Sequence, residues 1–440
     1  SRKSWKTGRK YGPEREPART ALRKQLQEQC NKTEKERKRR KERNDMNKAS
    51  ANIRFYKNEN GPVIGVTVRP VIEKDGLYFR DLTGDGRLAP YKDWRNTPAV
   101  RAASLAAELS ADEKIGMLFV NSWKMGIYQE DRTKVDESGL LNEEIVEQDE
   151  SIFNVEKTYG TTYTLKEMGI RHFILRQNPG PGELADWINQ LNMVAEGTGH
   201  ALPVMVLSNS RNEHGEIVFG MNDAAGVFAA WPGTLGIAAA VRGSGPELID
   251  SFAECIRREW DAVGMKKGYM YMADVMTDPR WQRSYGTFGE DPGTVCTIME
   301  RLIPGIQGSS RGVTRDGVAV TIKHFPGGGA RENGFDPHYV QGQWNVYQTE
   351  DSLRTYHLPA FRTAIEKKAS SIMPYYAKPS AAKSRPQYGP GGDVMEMEPV
   401  GFAFNRSFIQ GPTLGTNIMP VGKTVVMSSE SWKAPLGTFV

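Results

Sequence analysis

Residues 318–329 read Val-Ala-Val-Thr-Ile-Lys-His-Phe-Pro-Gly-Gly-Gly and carry the clearest structural signal in the chain. The apolar, β-branched run Val318–Ile322 has the length and composition of a buried strand. Lys323 and His324 follow it directly, and Pro326 with three glycines then breaks regular structure. Because neighbouring strand residues point to opposite faces, we expect the strand to end at Ile322 and the chain to turn, so that both polar side chains reach one site.

Short apolar runs alternate with helical periodicity on both sides of this strand. Further strands are predicted at Arg171–Leu175, Pro203–Leu207, Gly268–Ala273 and Ser370–Pro374, and helices at Glu183–Glu196, Pro246–Val263, Pro292–Gln307 and Thr349–Lys368. Repeated βα units predict an α/β fold with a parallel sheet. No strand is followed by G-x-G-x-x-G at the start of a helix, which disfavours a dinucleotide-binding sheet. We predict a (β/α)8 TIM-type barrel, complete or lacking its last units, with its site at the carboxyl ends of the strands.

Polar and aromatic residues cluster where the predicted strands end, as in the segment Asp278-Pro-Arg-Trp-Gln-Arg283. Arg283 can hold paired hydroxyl groups with its planar guanidinium. Lys323 supplies ammonium donors, and the imidazole of His324 can donate or accept a hydrogen bond. Trp281 offers an apolar ring face for a pyranose. The pattern predicts a sugar site, with Arg283, Lys323 and His324 as its binding residues.

The charge of the chain is unevenly distributed. The net charge is +5, and residues 1–50 hold 18 Lys and Arg against 7 Asp and Glu, so the remainder is mildly acidic. The stretch Lys32–Arg43 is almost wholly Lys, Arg and Glu, which predicts a disordered basic tail over residues 1–60. Nucleic-acid binding needs a basic face, so it is disfavoured for the main domain and possible only through this tail.

Three segments follow the predicted tail. Residues 61–96 are interpreted as a β-ribbon and the segment that leads into the barrel, residues 97–410 as the barrel domain, and residues 411–440 as a C-terminal segment with a different pattern. The run Asp81-Leu-Thr-Gly-Asp-Gly86 begins like a calcium loop, but its twelfth position is Lys92, which cannot bind calcium. We therefore interpret it as an Asp/Gly turn.

Other compositional signals exclude several classes of protein. The cysteines Cys30, Cys255 and Cys296 are too few and too scattered for a disulfide framework or a zinc site, and no metal or cofactor is predicted. No apolar stretch reaches the roughly 18 residues of a membrane span. Ser1–Lys10 contains no apolar core of a signal peptide.

Several motifs occur in an order that resembles family 3 glycoside hydrolases of the β-glucosidase type. They are Ala273-Asp-Val275, Asp278–Arg283, Phe288-Gly-Glu-Asp-Pro292 and Lys323-His-Phe-Pro-Gly327. The stretch that starts at Phe79, with Tyr91-Lys-Asp-Trp94 after it, resembles the beginning of that family's barrel domain. The resemblance covers roughly residues 79–410.

The resemblance implies a retaining hydrolase that removes terminal β-linked glucosyl residues from an oligosaccharide or β-glucoside, without a cofactor. A carboxylate would attack the anomeric carbon while a second group protonates the leaving oxygen. It also implies that Arg283, Lys323 and His324 bind the sugar in the −1 subsite. A periplasmic or secreted location would be typical of the family, although no signal peptide is visible.

The chain departs from the family pattern at three places. The segment Ser210–Gly215 lacks the Asp that anchors terminal sugar hydroxyls in the family. The strand that ends in Ser-Asp, which carries the nucleophile, is missing; Val425–Ser428 faintly resembles that strand, and Glu430 is the nearest carboxylate and the candidate nucleophile. The second, sandwich domain is also expected to be missing, so the catalytic residues stay undefined and the C-terminal segment is expected to be truncated or altered.

Two alternatives to a β-glucosidase remain open. The tripeptide Asp336-Pro-His338 has the composition of the Asp-His dyad of single-domain β-N-acetylglucosaminidases, which makes His338 a candidate acid/base. A surface turn would have the same composition. The second alternative is a non-catalytic sugar-binding remnant that keeps Arg283, Lys323 and His324.

Overall fold

A computed structural model gives the architecture of the protein. It describes residues 53–427, except 124–140, 144, 146–158, 176, 178, 215–227, 390, 410–417 and 422–423. The basic segment 1–52 and the candidate nucleophile Glu430 lie outside the described residues. In the part of the chain that is described, no helix is long and apolar enough to cross a membrane.

Two antiparallel ribbons precede the main sheet. The first pairs β1 (Arg54–Lys57) with β2 (Val63–Val66), and the second pairs β3 (Val71–Lys74) with β4 (Leu77–Arg80). Gly76 turns the second ribbon with a φ of +73°, a conformation that glycine adopts without steric cost. Strand β1 lies inside the stretch predicted as a tail, so regular structure starts earlier than the charge pattern indicates.

The turn after β4 is built around a buried lysine. The Nζ atom of Lys92 lies 2.7 Å from Oδ1 of Asp81, 2.6 Å from Oγ1 of Thr83 and 2.5 Å from Oδ1 of Asp85. The Lys92 side chain is fully buried. Its ammonium group thus occupies the centre of the loop that begins like a calcium site, and the interpretation as an Asp/Gly turn fits this geometry.

The main sheet is formed by strands that lie between residues 120 and 427. They are β5 (Val120–Trp123), β6 (His172–Leu175), β7 (Met205–Ser208), β8 (Lys267–Gly268), β9 (Ala319–Phe325), β11 (Ser371–Pro374), β13 (Ile418–Val421) and β14 (Thr424–Met427), while β10 (Trp344–Asn345) and β12 (Lys378–Pro379) form a separate parallel pair. The strand order is β13-β14-β11-β9-β8-β7-β6-β5. The strands from β5 to β11 in this order are parallel to one another.

The helices alternate with these strands. They are α1 (Pro98–Glu108), α2 (Ala111–Leu118), α3 (Thr161–Lys166), α4 (Pro181–Glu196), α5 (Thr234–Ser244), α6 (Leu248–Val263), α7 (Pro292–Gln307), α8 (Leu358–Glu366) and α9 (Arg406–Ile409). A short π-helix, Leu353–His357, leads into α8. Helix α7 has the predicted bounds because Asp291 caps it, accepting hydrogen bonds from the backbone N–H groups of Gly293 and Thr294, and Pro292 follows at the first position.

The curled parallel sheet confirms the α/β class, whereas closure into a complete (β/α)8 barrel is not seen in the described residues. Six strands are parallel. Strand β14 then pairs with β11 in the antiparallel direction, through Ile372 and Val425, and also pairs with β13 in the antiparallel direction. The described part of the faint strand signal, residues 425–427, is therefore antiparallel to its neighbours and does not form a further parallel strand of the barrel, while Ser428 lies outside the described residues.

The core lies between the sheet and its helices. Helices α6 and α7 pack against each other and bury their apolar faces, including Phe252 and Trp260 on α6 and Ile298 on α7. Burial of large aromatic side chains is a main source of stability in such a layer. Because the strands from β5 to β11 in the sheet are parallel, their carboxyl ends lie at one edge of the sheet.

Candidate active site

A buried chain of three polar side chains lies at the carboxyl ends of the central strands. Oδ2 of Asp274 is 2.9 Å from Nδ1 of His324, and Nε2 of His324 is 3.1 Å from Nη1 of Arg283. Because guanidinium groups only donate, Nε2 accepts from Arg283 and Nδ1 carries the proton that it donates to Asp274. The three residues therefore define one tautomer of a neutral imidazole.

Burial and charge support this assignment. Burial, together with the neighbouring guanidinium of Arg283, lowers the pKa of His324 to about 4. Burial alone would raise the pKa of Asp274, but interaction with His324 and backbone N–H groups of Gly328 and His324 outweighs it, so the pKa of Asp274 is lowered. Asp274 is thus ionised and His324 neutral at pH 7.

Arg283 lies inside the site, and its guanidinium has N–H donors available for a ligand. Its side chain is almost fully buried, and among the described residues only His324 hydrogen-bonds to it. Burial would lower the pKa of Arg283, but the nearby Tyr375, Asp336 and Asp274 raise it, so the charge is retained. A guanidinium has five N–H donors, and a rigidly held one can bind paired hydroxyls without first being ordered.

Lys323 occupies the neighbouring position. Its Nζ donates to Oδ1 of Asn209 at 2.8 Å and to the backbone oxygen of Tyr269 at 2.7 Å, and it lies 4.6 Å from the centre of the Tyr269 ring. Asn209 comes from the end of β7 and was not predicted as a site residue. These contacts fix the ammonium group between two strands.

The way in which Lys323 and His324 enter the site differs from the prediction. The strand does not end at Ile322, since β9 continues through Phe325, and the Lys323–His324 peptide bond is cis. The predicted glycine turn does follow. A β-carbon on Gly329 would collide with the backbone oxygen of Val275, and one on Gly328 would crowd Oδ1 of Asp274. These glycines therefore allow the loop to approach Asp274 closely.

The predicted strand Gly268–Ala273 is mostly irregular. Only Lys267–Gly268 forms the regular strand β8. Met272 makes a single bridge to Lys323, and the N–H of Ala273 donates to the oxygen of Lys323 at 2.8 Å. The segment therefore still follows β9 and brings Asp274 to the strand end.

A second carboxylate–imidazole pair lies beside the first. Asp336 accepts a hydrogen bond from Nδ1 of His338, and its other oxygen is 3.4 Å from the hydroxyl of Tyr375. Burial would raise the pKa of Asp336, but His338 and Arg283 lower it to about 2. The ring of Tyr375 lies 4.8 Å from the ring of His324. Tyr375 thus links the two pairs.

Trp281 does not present a ring face as predicted. Its side chain is fully buried, and its ring packs edge-on against Tyr375 and over the backbone at Gly328. Because a fully buried ring cannot contact a ligand, Trp281 is a packing residue. The prediction that it stacks on a pyranose was wrong, since the ring is enclosed by protein atoms, Tyr375 among them.

The segment after β7 is also mostly structural. Arg211 is buried and donates to the oxygen of Leu175 at 3.1 Å, and Asn212 hydrogen-bonds to Glu259 at 2.5 Å. Glu213 is buried and accepts from the hydroxyl of Tyr271 at 2.8 Å. Burial raises the pKa of Glu213. Gly215 lies outside the described residues.

The described residues contain no group of His, Cys, Asp and Glu that could hold a metal ion. The arrangement instead offers fixed donors, a neutral imidazole and an ionised carboxylate in a largely buried site. Such groups suit the recognition of a neutral, polyhydroxylated ligand.

Comparison with known proteins defines the class. Residues 170–389 match the model of the glycosyl hydrolase family 3 N terminal domain, a stretch that contains every described candidate site residue. The chain belongs to glycosyl hydrolase family 3.

The curated relatives agree with this assignment. The chain is 32% identical over 338 residues to a periplasmic beta-glucosidase/beta-xylosidase of Dickeya chrysanthemi, covering 77% of this chain and 46% of that protein. It is 31% identical over 320 residues to a probable beta-glucosidase C of Aspergillus oryzae, covering 72% and 44%. The chain thus spans about half the length of the curated relatives it matches.

Solved structures share the fold at lower identity. A β-glucosidase from Erythrobacter marinus aligns with a TM-score of 0.51 and 18% identity, over 74% of this chain and 35% of its own. A mutant exo-1,3/1,4-beta-glucanase from a Pseudoalteromonas species aligns with a TM-score of 0.50 and 15% identity, over 72% and 42%. At this identity, the likeness establishes the fold alone.

Proposed function

We propose that the chain forms the sugar-binding barrel region of a β-glucosidase-type retaining hydrolase, which acts on terminal β-linked glucosyl residues. The observation that carries the proposal is the buried Asp274–His324–Arg283 chain. It holds a neutral imidazole and a charged guanidinium in fixed positions beside Lys323. The names of the curated relatives support glucosides as the substrate class.

Each of these residues has a distinct role in the proposal. Arg283 and Lys323 donate to sugar hydroxyls, and Asp274 keeps the His324 ring oriented. Because these groups are already desolvated and hydrogen-bonded, little ordering is needed when the sugar binds. Cleavage with retention further requires a carboxylate nucleophile and an acid/base. Glu430 remains the candidate nucleophile from the sequence.

A second candidate function rests on the Asp336–His338 pair. The hydrogen bond between these residues, close to Tyr375, is the geometry that a carboxylate-oriented acid/base needs. A hydrolase of the β-N-acetylglucosaminidase type would use His338 in this role. A sugar-binding remnant without turnover would use neither His338 nor Glu430.

Hydrolysis assays separate these candidates. We expect the chain to release p-nitrophenol from p-nitrophenyl β-glucoside faster than from the β-N-acetylglucosaminide, with loss of turnover in Glu430→Ala. The opposite preference, abolished in His338→Ala, would favour the second candidate. Binding of glucose without turnover of either substrate would leave the sugar-binding remnant and contradict both hydrolase functions for this chain.

A further inference from the structure

One peptide group of the glycine turn is held from both sides by side chains. It joins Gly327 to Gly328: the N–H of Gly328 donates to Oδ1 of Asp274, and the C=O of Gly327 accepts from Nδ2 of Asn345 at 3.0 Å. In a planar trans peptide the N–H and the C=O point in opposite directions. Asp274 and Asn345 therefore lie on opposite sides of a single peptide plane and together fix its orientation.

The amide of Asn345 can take only one orientation. Its Oδ1 accepts from Nη1 of Arg331, and because a guanidinium only donates, the amide nitrogen is the atom that faces Gly327. Both Asn345 and Arg331 are buried. The backbone of Asn345 is fixed as well, since its oxygen accepts from the N–H of Ser380 at 3.0 Å. Asn345 is thus a rigidly placed donor behind the turn.

The turn needs such a donor because its glycines leave the peptide plane free to rotate. Gly327 has a φ of +127°, which glycine adopts without steric cost. With no β-carbon on either side, the 327–328 peptide can rotate so that its C=O, in place of its N–H, points at Asp274. The bond from Asn345 opposes this rotation, because it forms only while the C=O of Gly327 points away from Asp274.

We propose that Asn345 is a positioning residue of the sugar site. It holds the 327–328 peptide so that the N–H of Gly328 meets Asp274, and Asp274 in turn orients the ring of His324. The inference rests on the proposed function, because it takes His324 as part of the glucose site. Since Asn345 is fully buried, it acts on the ligand only through this chain of contacts.

Asn345→Asp tests the role of the amide nitrogen alone. The substitution keeps the shape of the side chain and the acceptor for Arg331, but it replaces the donor to Gly327 by an oxygen. That oxygen repels the C=O of Gly327 and competes with Asp274 for the N–H of Gly328. We expect calorimetry to show about tenfold weaker glucose binding. Asn345→Ser introduces no buried charge and is too short to reach Gly327, so it should show the same loss even if Asn345→Asp fails to fold.

A double-mutant cycle separates positioning from a general structural role. Asn345→Asp and Asp274→Asn break the same chain of contacts, so the double variant should bind glucose no more than about tenfold more weakly than the wild type. A loss of about a hundredfold, the product of two independent effects, would show that Asn345 does not act through Asp274 and would overturn the inference.

The matched control is Asn58→Asp, on the first ribbon. Nδ2 of Asn58 donates to the backbone oxygens of Pro62 at 2.9 Å and Tyr78 at 3.0 Å, and its Oδ1 accepts from the N–H of Tyr78 at 2.7 Å. The substitution therefore removes an equivalent donor from a mostly buried amide and should leave glucose affinity unchanged.

The outcomes separate this inference from the proposed function. If Asn345→Asp and Asn345→Ser bind glucose as tightly as the wild type, the inference is wrong while the proposed function stands. If Asn58→Asp weakens glucose binding as much as Asn345→Asp, the effect follows stability and the inference is equally wrong. If the wild type binds no glucose, the proposed function itself fails, and the inference with it.

Discussion

Oδ2 of Asp274 lies 2.9 Å from Nδ1 of His324, across 50 residues of sequence, and this contact fixes which nitrogen of the imidazole faces Arg283. The same carboxylate accepts the backbone N–H of His324 at 3.1 Å. In the proposed sugar site Asp274 is therefore a positioning residue, because it contacts His324 and would act on the ligand only through it.

Replacing Asp274 by Asn should disturb the tautomer of His324. The amide of Asn cannot accept from all three N–H groups that Asp274 now satisfies, so we expect the unfolding free energy to fall by about 1–3 kcal/mol. We also expect weaker glucose binding by about tenfold, because Nε2 of His324 would then carry a proton towards Arg283. Nitrogen-15 shifts of the histidine ring measure the tautomer directly. An unchanged tautomer would contradict the positioning role, whatever happens to stability.

The stability of the protein should depend on buried neutral histidines. Burial lowers the pKa values of His172, His324 and His357 to about 4. Unfolded histidines bind protons below about 6.5, so between pH 6.5 and 4 the unfolded state holds more protons than the folded state. The unfolding free energy should therefore fall as the pH drops through this window, by about 1.4 kcal/mol per unit for each histidine at most.

Urea unfolding at pH 7.0 and 5.0 measures this dependence. His172→Leu removes one of the three groups and should reduce the pH dependence by about a third. The exposed His214, changed to Gln, is the control and should leave the dependence as it is. An equal dependence in wild type and His172→Leu would show that His172 does not take up its proton on unfolding.

Lys92→Met should be strongly destabilising. The substitution removes the buried ammonium group and leaves the buried carboxylate of Asp81 without its partner, and breaking a buried ion pair typically costs about 3–5 kcal/mol. Lys74→Met on the exposed part of β3 is the control and should cost less than about 0.5 kcal/mol. Chemical denaturation measures both. Equal stability of the two variants would mean that the ammonium group does not hold the loop.

Trp281→Leu tests the revised role of Trp281. We expect a loss of about 2–4 kcal/mol of unfolding free energy, because the smaller side chain leaves a cavity beneath Gly328 and Tyr375. The affinity of the folded protein for glucose should change by less than about threefold. A large loss of affinity without loss of stability would restore Trp281 as a sugar-binding platform.

The sequence predicted those features that depend on local chemistry. Helix α7 was predicted from its helical periodicity, and Lys323 and His324 were identified because they follow a buried apolar run. The partners of these residues could not be predicted, since Asp274 and Asn209 meet them only through the pairing of strands far apart in sequence. The same reason explains the error at Trp281: its burial depends on Tyr375, which lies 94 positions later.

We propose that Arg283 binds the glucosyl unit. The most direct measurement is the affinity for glucose of the wild type and of Arg283→Lys, with Arg280→Lys as the matched control from the same motif. Arg280 is largely exposed and pairs with Asp278, so its substitution should leave the affinity unchanged. We predict at least about a tenfold loss for Arg283→Lys, because an ammonium group cannot reproduce the planar pair of donors. Equal affinities of the two variants, or no binding of glucose by the wild type, would contradict the account.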